Sequence, residues 1–201
     1  MFKDFKTMIN AQEELNNKFV HNWRESVSLE QQISAVQTEL AEWFESAPRS
    51  GGVVTNGVFG WKWWKRNLSD DNQNKRIEVI DVWHFMMSTW LLLGNKETIS
   101  HFINEFTPIE NDFSNLQNIH RTFASYVVFC FEKELENAIF TGMNLIHYLM
   151  LETDGMNWED LEIGYFLKNK LNHTRVKGGY QDGNYQKHDE NGQEDNRKLK
   201  V

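Results

Sequence analysis

The chain has 201 residues, 40% of them hydrophobic and 13% aromatic, so it can bury a real core and is not globally disordered. With 21 basic against 29 acidic residues the net charge is −8, which argues against a sequence-independent grip on nucleic acid. A single cysteine, Cys130, excludes an internal disulfide and a CxxC zinc site, and no apolar run reaches the ~18 residues of a membrane span. Charges run throughout residues 1–20, so no signal peptide is expected, and a reducing cytoplasm is.

Pro48 and Pro108, the only prolines, fall where connections are expected. The stretches between them read at helical spacing, without convincing alternating strands. The fold class is therefore all-α. Helices are expected at 2–22, 29–46, 74–94, 96–106, 114–132, 134–152 and 158–175. Residues 1–175 form a single helical domain. Residues 176–201 are polar and Gly-rich, and cannot fold alone, so they would order on a partner or ligand.

In the first helix, Phe5, Met8, Ile9, Leu15 and Phe19 make an apolar face. Gln12 and Asn16 interrupt it, one turn apart. Buried amides need partners. Either the backbone or a facing helix supplies them, or the edge of a nucleobase does.

Ser28 with Gln31 forms a capping box that opens the second helix. Ile33, Val36, Leu40, Trp43 and Phe44 make its core stripe, with Glu39 and Glu42 on the flank. Carboxylates at i and i+3 point the same way and can share a cation, although most such pairs are surface charge.

A Gly-rich loop at 49–60 leads into Trp61-Lys62-Trp63-Trp64-Lys65-Arg66. Three indoles and three cations could stack a base and hold phosphates. They could equally be core plugs with snorkelling lysines.

The helix at 74–94 is apolar around nearly its whole circumference, which marks a buried helix. Glu78, Asp81, His84 and Ser88 nevertheless form one narrow polar stripe along it. Buried acids are rare and need a cation or a donor. Joined with Glu39 and Glu42 they make an all-oxygen set suited to Mg²⁺, two or more ions balancing the charge. A solvated seam or an internal salt bridge is the plainer alternative.

On the last helix Lys168, Asn172 and Arg175 share a face. Residues 166–180 hold four Lys or Arg and no acid, a concentrated positive patch in an acidic chain. Arg175 can grip phosphate bidentately and Lys168 as a point charge. Acids for Mg²⁺, cations for phosphate, and amides and aromatics for a base together describe a nucleoside triphosphate site. No GxxxxGK[ST] is present, so this is not a P-loop.

Five segments carry a family resemblance, in order: AQEELNNK (11–18), QTELAEWF (37–44), WKWWK (61–65), RIEVIDVWHF (76–85) and KNKLNHTRVKGGYQDGNYQK (168–187). They resemble the dimeric all-α dUTPases of the MazG-like NTP pyrophosphatase superfamily. The resemblance implies a helical bundle with a four-helix core. It implies hydrolysis of dUTP, and of dUDP, to dUMP by water attack at the α-phosphorus. It also implies Mg²⁺ and a homodimer with each site at or near the interface. Glu39, Glu42, Glu78 and Asp81 match the metal ligands, with Glu39 or Glu42 activating the water. Gln12 and Asn16 match the uracil-side amides, and Trp61, His84 and Phe85 the wall of the base pocket. Lys62, Lys65, Lys168, Asn172 and Arg175 match the phosphate set, and Tyr180 and Lys187 fall in a closing segment. The middle region, about 95–155, is short for the kinetoplastid type, so a reduced cap is expected. The long loop 47–60 resembles the insertion of the phage dCTPase–dUTPases, which keeps dCTP open as a substrate and a phage-infected host cytoplasm as a setting. A relaxed house-cleaning pyrophosphatase and a non-catalytic nucleotide-binding regulator are the other readings.

Overall fold

A computed structural model describes residues 2–50, 60–62, 64–65, 68–109 and 115–199. Among these the regular structure is helical, apart from one isolated bridge between His188 and Glu194. The helices are α1 (Phe5–Phe19), α2 (Trp23–Ser26), α3 (Leu29–Ser46), α4 (Asn72–Leu93), α5 (Lys96–Glu105), α6 (Asn115–Phe131), α7 (Leu135–Leu151) and α8 (Trp158–Lys177). A 3₁₀ turn, Asp195–Lys198, follows near the C-terminus. Among the described residues no helix is long and apolar enough to cross a membrane.

Most boundaries follow local chemistry. The Ser28 hydroxyl accepts from the Gln31 amide while the Gln31 side chain accepts from the Ser28 N–H, so the capping box forms. Asp4, Asp71 and Asn95 cap α1, α4 and α5 through side-chain oxygens, and an Asn157–Asp160 box opens α8. The first helix is shorter than its apolar period suggests. Val20 is extended and Asn22 adopts a left-handed conformation at φ 52°, so the expected helix 2–22 becomes α1 and a separate one-turn α2.

Helix α4 runs through the middle, against α1, α3, α7 and α8. Its Ile77, Val79, Ile80, Val82, Trp83, Met86, Met87, Trp90 and Leu91 are all fully buried, as its all-round apolar sequence requires. Gly142 lets α7 approach α4 closely: a Cβ there would meet Met86 Cε at 2.4 Å and Trp90 Cζ2 at 2.7 Å. The buried apolar side chains form one continuous cluster fed by every long helix.

Helices α1 and α8 are locked at their ends. The Glu162 carboxylate accepts the Lys3 and Asp4 amides, each at 2.9 Å, and the Tyr165 hydroxyl donates to Met8 O at 2.9 Å. Beyond α8, Gly179 takes φ +78° and turns the chain back. The polar tail then lies on the chain's own α4 and α8. Arg197 pairs with Asp71, and the Gln73 amide donates to Arg197 O at 2.6 Å. The polar sides of α1, α3, α4 and α8 therefore converge under the tail.

Candidate active site

One chamber of about 340 Å³ occupies that convergence. Its inner wall is acidic. Glu39 on α3 and Glu78 and Asp81 on α4 offer carboxylate oxygens that all lie within 4.8 Å of one another. Glu78 is 5% exposed and accepts from Asn74 Nδ2 at 2.8 Å, and the same amide donates to Ser46 Oγ at 2.6 Å. Glu42 is exposed. It stands outside this tight trio but lines the same chamber.

The electrostatics show how poorly these acids tolerate one another. Burial, with Asp81 and Glu42 nearby, pushes the Glu39 carboxyl up to about 7. Burial, then Asp81, Glu39 and Glu42, pushes Glu78 up to about 9. A divalent cation would favour the ionised form of both acids. The donor set is entirely carboxylate oxygen, which fits a hard cation and gives no soft metal a ligand.

The adjoining wall is cationic. Lys168, 3% exposed, donates to Asp81 Oδ2 at 2.5 Å. Arg175, 6% exposed, stands two turns further along α8, with Asn172 Oδ1 accepting from its Nη1 at 3.2 Å. Tyr180 places its ring 5.8 Å from the guanidinium, and Lys187 pairs with Glu194 at 2.9 Å at the chamber rim.

The third wall is an amide network. Gln12 Nε2 donates to Asn16 Oδ1 and to Ser88 Oγ, both at 3.0 Å, and Asn16 Nδ2 donates to Ser88 Oγ at 2.9 Å. Gln12 Oε1 lies 2.7 Å from His84 Nδ1. Since the Gln12 amide nitrogen is committed elsewhere, its oxygen accepts and Nδ1 carries the proton. Burial, then the charge of Lys168, pulls the His84 pKa down to about 3, so the ring is neutral. Its Nε2 is then a lone pair, buried and without a partner among the described residues. Tyr165 stacks on the ring at 4.5 Å, and Phe85 lines the chamber beside it. A facing helix satisfies Gln12 and Asn16 through Ser88, and both side chains line the chamber.

Three expected residues lie elsewhere. Trp61 Nε1 donates to Phe44 O at 3.1 Å and Ala47 O at 3.2 Å, closing the C-terminal end of α3. Lys62 is buried over the Trp61 ring at 4.8 Å and pairs with Glu45. Lys65 is exposed. None of the three lines this chain's chamber. Trp63, and the part of the long loop at 51–59, fall outside the described residues.

Sequence reasoning left several lining residues unassigned to the site. Trp23 and Gln32 border the far end, Ser88 joins the two amides, and Asn196 reaches in from the tail. Ser88 was visible in the polar stripe of α4. Trp23 was a lone indole between two expected helices, and nothing local marks Asn196 in a polar tail.

A cluster of hard oxygen donors, two buried cations and an amide-lined recess around one chamber describe the class: an all-helical protein with a nucleotide site and donors suited to a divalent metal. Residues 4–180 match the family model described as dUTPase, so the chain belongs to that family and is a dUTP-hydrolysing enzyme. Its substrate is a nucleotide, and the family and the acidic cluster together point to a divalent metal. No curated protein matches the chain in sequence.

Proposed function

We propose that this enzyme hydrolyses dUTP, and dUDP, to dUMP with Mg²⁺, two or more ions per site. The observation that carries the reading is that one chamber joins the acid cluster, the two α8 cations and the amide recess.

Glu39, Glu42, Glu78 and Asp81 would hold the metal, which would supply charge stabilisation at the phosphate oxygens and make water more acidic. The protein's own groups do the rest. Glu39 or Glu42 orients the water and takes its proton. The water oxygen forms a bond to the α-phosphorus, and the bond from that phosphorus to the α–β bridging oxygen breaks. Pyrophosphate leaves from dUTP, or phosphate from dUDP, and Lys168, Asn172 and Arg175 hold the charge that accumulates there. Gln12, Asn16, His84 and Phe85 receive the base. Residues 1–175 act as the catalytic body, and the segment from 176, with Tyr180 and Lys187, closes over the nucleotide.

Pairing of two chains gives Trp61, Lys62 and Lys65 a place, since they lie off this chain's own chamber while Trp64 beside them is 56% exposed. A homodimer with sites at the interface accommodates them. A cytoplasmic setting agrees with a single, buried cysteine.

The deciding experiment is pyrophosphate release from the four common dNTPs, dUTP and dUDP (phosphate for the last), with Mg²⁺ and with chelator. Metal-dependent turnover confined to dUTP and dUDP supports the reading. Equal turnover of dCTP moves the enzyme to the dCTPase–dUTPase type. That outcome is physically open, because the lone pair on His84 Nε2 takes an N–H from either pyrimidine. Turnover of many nucleotides indicates a house-cleaning pyrophosphatase, and binding without turnover a regulator.

A further inference from the structure

Lys168 and Arg175 are charged groups almost cut off from water, and such groups need partners. Beyond Asp81 for Lys168 and Asn172 for Arg175, their partners come from a turn past the stretch that matches the family. Asp195 takes the guanidinium in a fork: Arg175 Nε donates to Oδ2 at 3.0 Å and Nη2 to Oδ1 at 2.5 Å. Asn196 Oδ1 accepts from Arg175 Nη2 at 2.7 Å and from Lys168 Nζ at 3.0 Å, so one oxygen joins both cations. The Tyr185 hydroxyl donates to Asp195 Oδ2 at 2.9 Å and steadies the fork. The turn is itself anchored, through Arg197 on Asp71, to the start of α4.

We propose that Asp195 and Asn196 are positioning residues for the phosphate-binding cations. They fix the plane of the Arg175 guanidinium and its distance from Lys168 before the nucleotide arrives. With its Nε–Nη2 edge held by Asp195 and Asn196, the guanidinium presents Nη1 and its charge to a phosphate in a fixed plane, and holding it there beforehand removes the ordering cost from binding. Groups behind a ligand-binding side chain set its geometry in this way. The proposal rests on reading Lys168 and Arg175 as phosphate ligands.

Charge and geometry predict opposite signs, which makes the proposal decidable. Asp195→Asn removes a negative charge beside the phosphates. On charge alone, phosphate binding tightens. If Asp195 works by orientation, binding weakens. The test measures inorganic tripolyphosphate binding by calorimetry in Mg²⁺ buffer, alongside kcat and KM for dUTP. The proteins are wild type, Asp195→Asn, Arg175→Ala and the double variant. Asp195→Asn is expected to weaken tripolyphosphate and lower kcat/KM by about tenfold. The double variant should be no worse than Arg175→Ala, because Asp195 acts through Arg175. If Asp195→Asn is unfolded at assay temperature, Tyr185→Phe loosens the same fork and should give a smaller loss of the same sign. Tighter or unchanged binding in the fork variants, additive losses in the double variant, or a wild type that binds no tripolyphosphate overturns the proposal. A wild type that binds tripolyphosphate but does not cleave dUTP sinks the nucleotide reading instead, and the binding data still judge the fork.

Discussion

Asp81 and Lys168 meet at 2.5 Å with side-chain exposures of 13% and 3%, so the acid cluster contains its own buried cation. Repulsion among four acids, taken alone, would make removal of Asp81 stabilising. The ion pair reverses that sign. Asp81→Ala leaves the Lys168 ammonium buried with Asn196 as its remaining hydrogen-bond partner among the described residues and no carboxylate in direct contact. Breaking a buried pair from one side costs about 3 kcal/mol. Asp81→Ala should therefore abolish turnover and lower Tm by roughly 10 °C in chelator. Thermal melts in EDTA check this, and an unchanged or raised Tm would show that the pair contributes nothing.

Glu78 is the acid whose removal should stabilise. Its carboxyl is raised from its ordinary value near 4.5 to about 9. Between those values the folded chain holds a proton that the unfolded chain has released, so metal-free stability falls as pH rises through that window. Glu78→Gln keeps the shape and an oxygen for Asn74 but carries no charge. It should raise Tm in EDTA at pH 8 by about 3–6 °C and flatten the decline of Tm with pH, while eliminating activity. A melt series from pH 5 to 9 reads both effects.

The same raised acids tie metal binding to proton release. At pH 7 Glu39 is about half protonated and Glu78 is mostly protonated in the metal-free protein. A cation needs both ionised, so Mg²⁺ uptake should release about one to one and a half protons per site near pH 7. Affinity should accordingly strengthen with pH up to about 9. Calorimetry in two buffers of different ionisation enthalpy counts the protons. Equal heats in both buffers would mean the acids are already ionised or take no part.

Much of this architecture is legible in the chain itself, for identifiable reasons. A helix apolar on every side cannot hide Glu78, Asp81, His84 and Ser88, and amides on an apolar face stand out in the same way at Gln12 and Asn16. The periodicity of α3, and its capping box, fix both its start and the direction of Glu39. What periodicity cannot give is backbone choice at one residue. The left-handed Asn22 cuts the first helix, and only then does Trp23 turn toward the chamber. Nor can it give contacts between segments distant in sequence. Asp195 meets Arg175 through a tail whose composition reads as disordered, and its order comes from pairing with α4 and α8. The Trp61 cluster shows the converse. A vivid motif, rich in the groups a nucleotide needs, spends its indole N–H on the end of α3.

Ser88 offers the cleanest separation of base recognition from phosphate binding. Its hydroxyl accepts from both Gln12 and Asn16 and donates to His84 O at 3.1 Å, so it holds the recess in register without touching the acids or the α8 cations. Ser88→Ala deletes that junction and leaves two amide donors short of an acceptor. The loss should cost about 1–2 kcal/mol of stability. It should lower kcat/KM for dUTP by about tenfold, mainly through KM, because the base is held less firmly while the reacting phosphate is untouched. Inorganic tripolyphosphate should bind the variant as it binds the wild type. The comparison of those two affinities is the measurement. A matching loss for tripolyphosphate would mean that Ser88 supports the whole chamber and that the recess between α1 and α4 is not where the base is read.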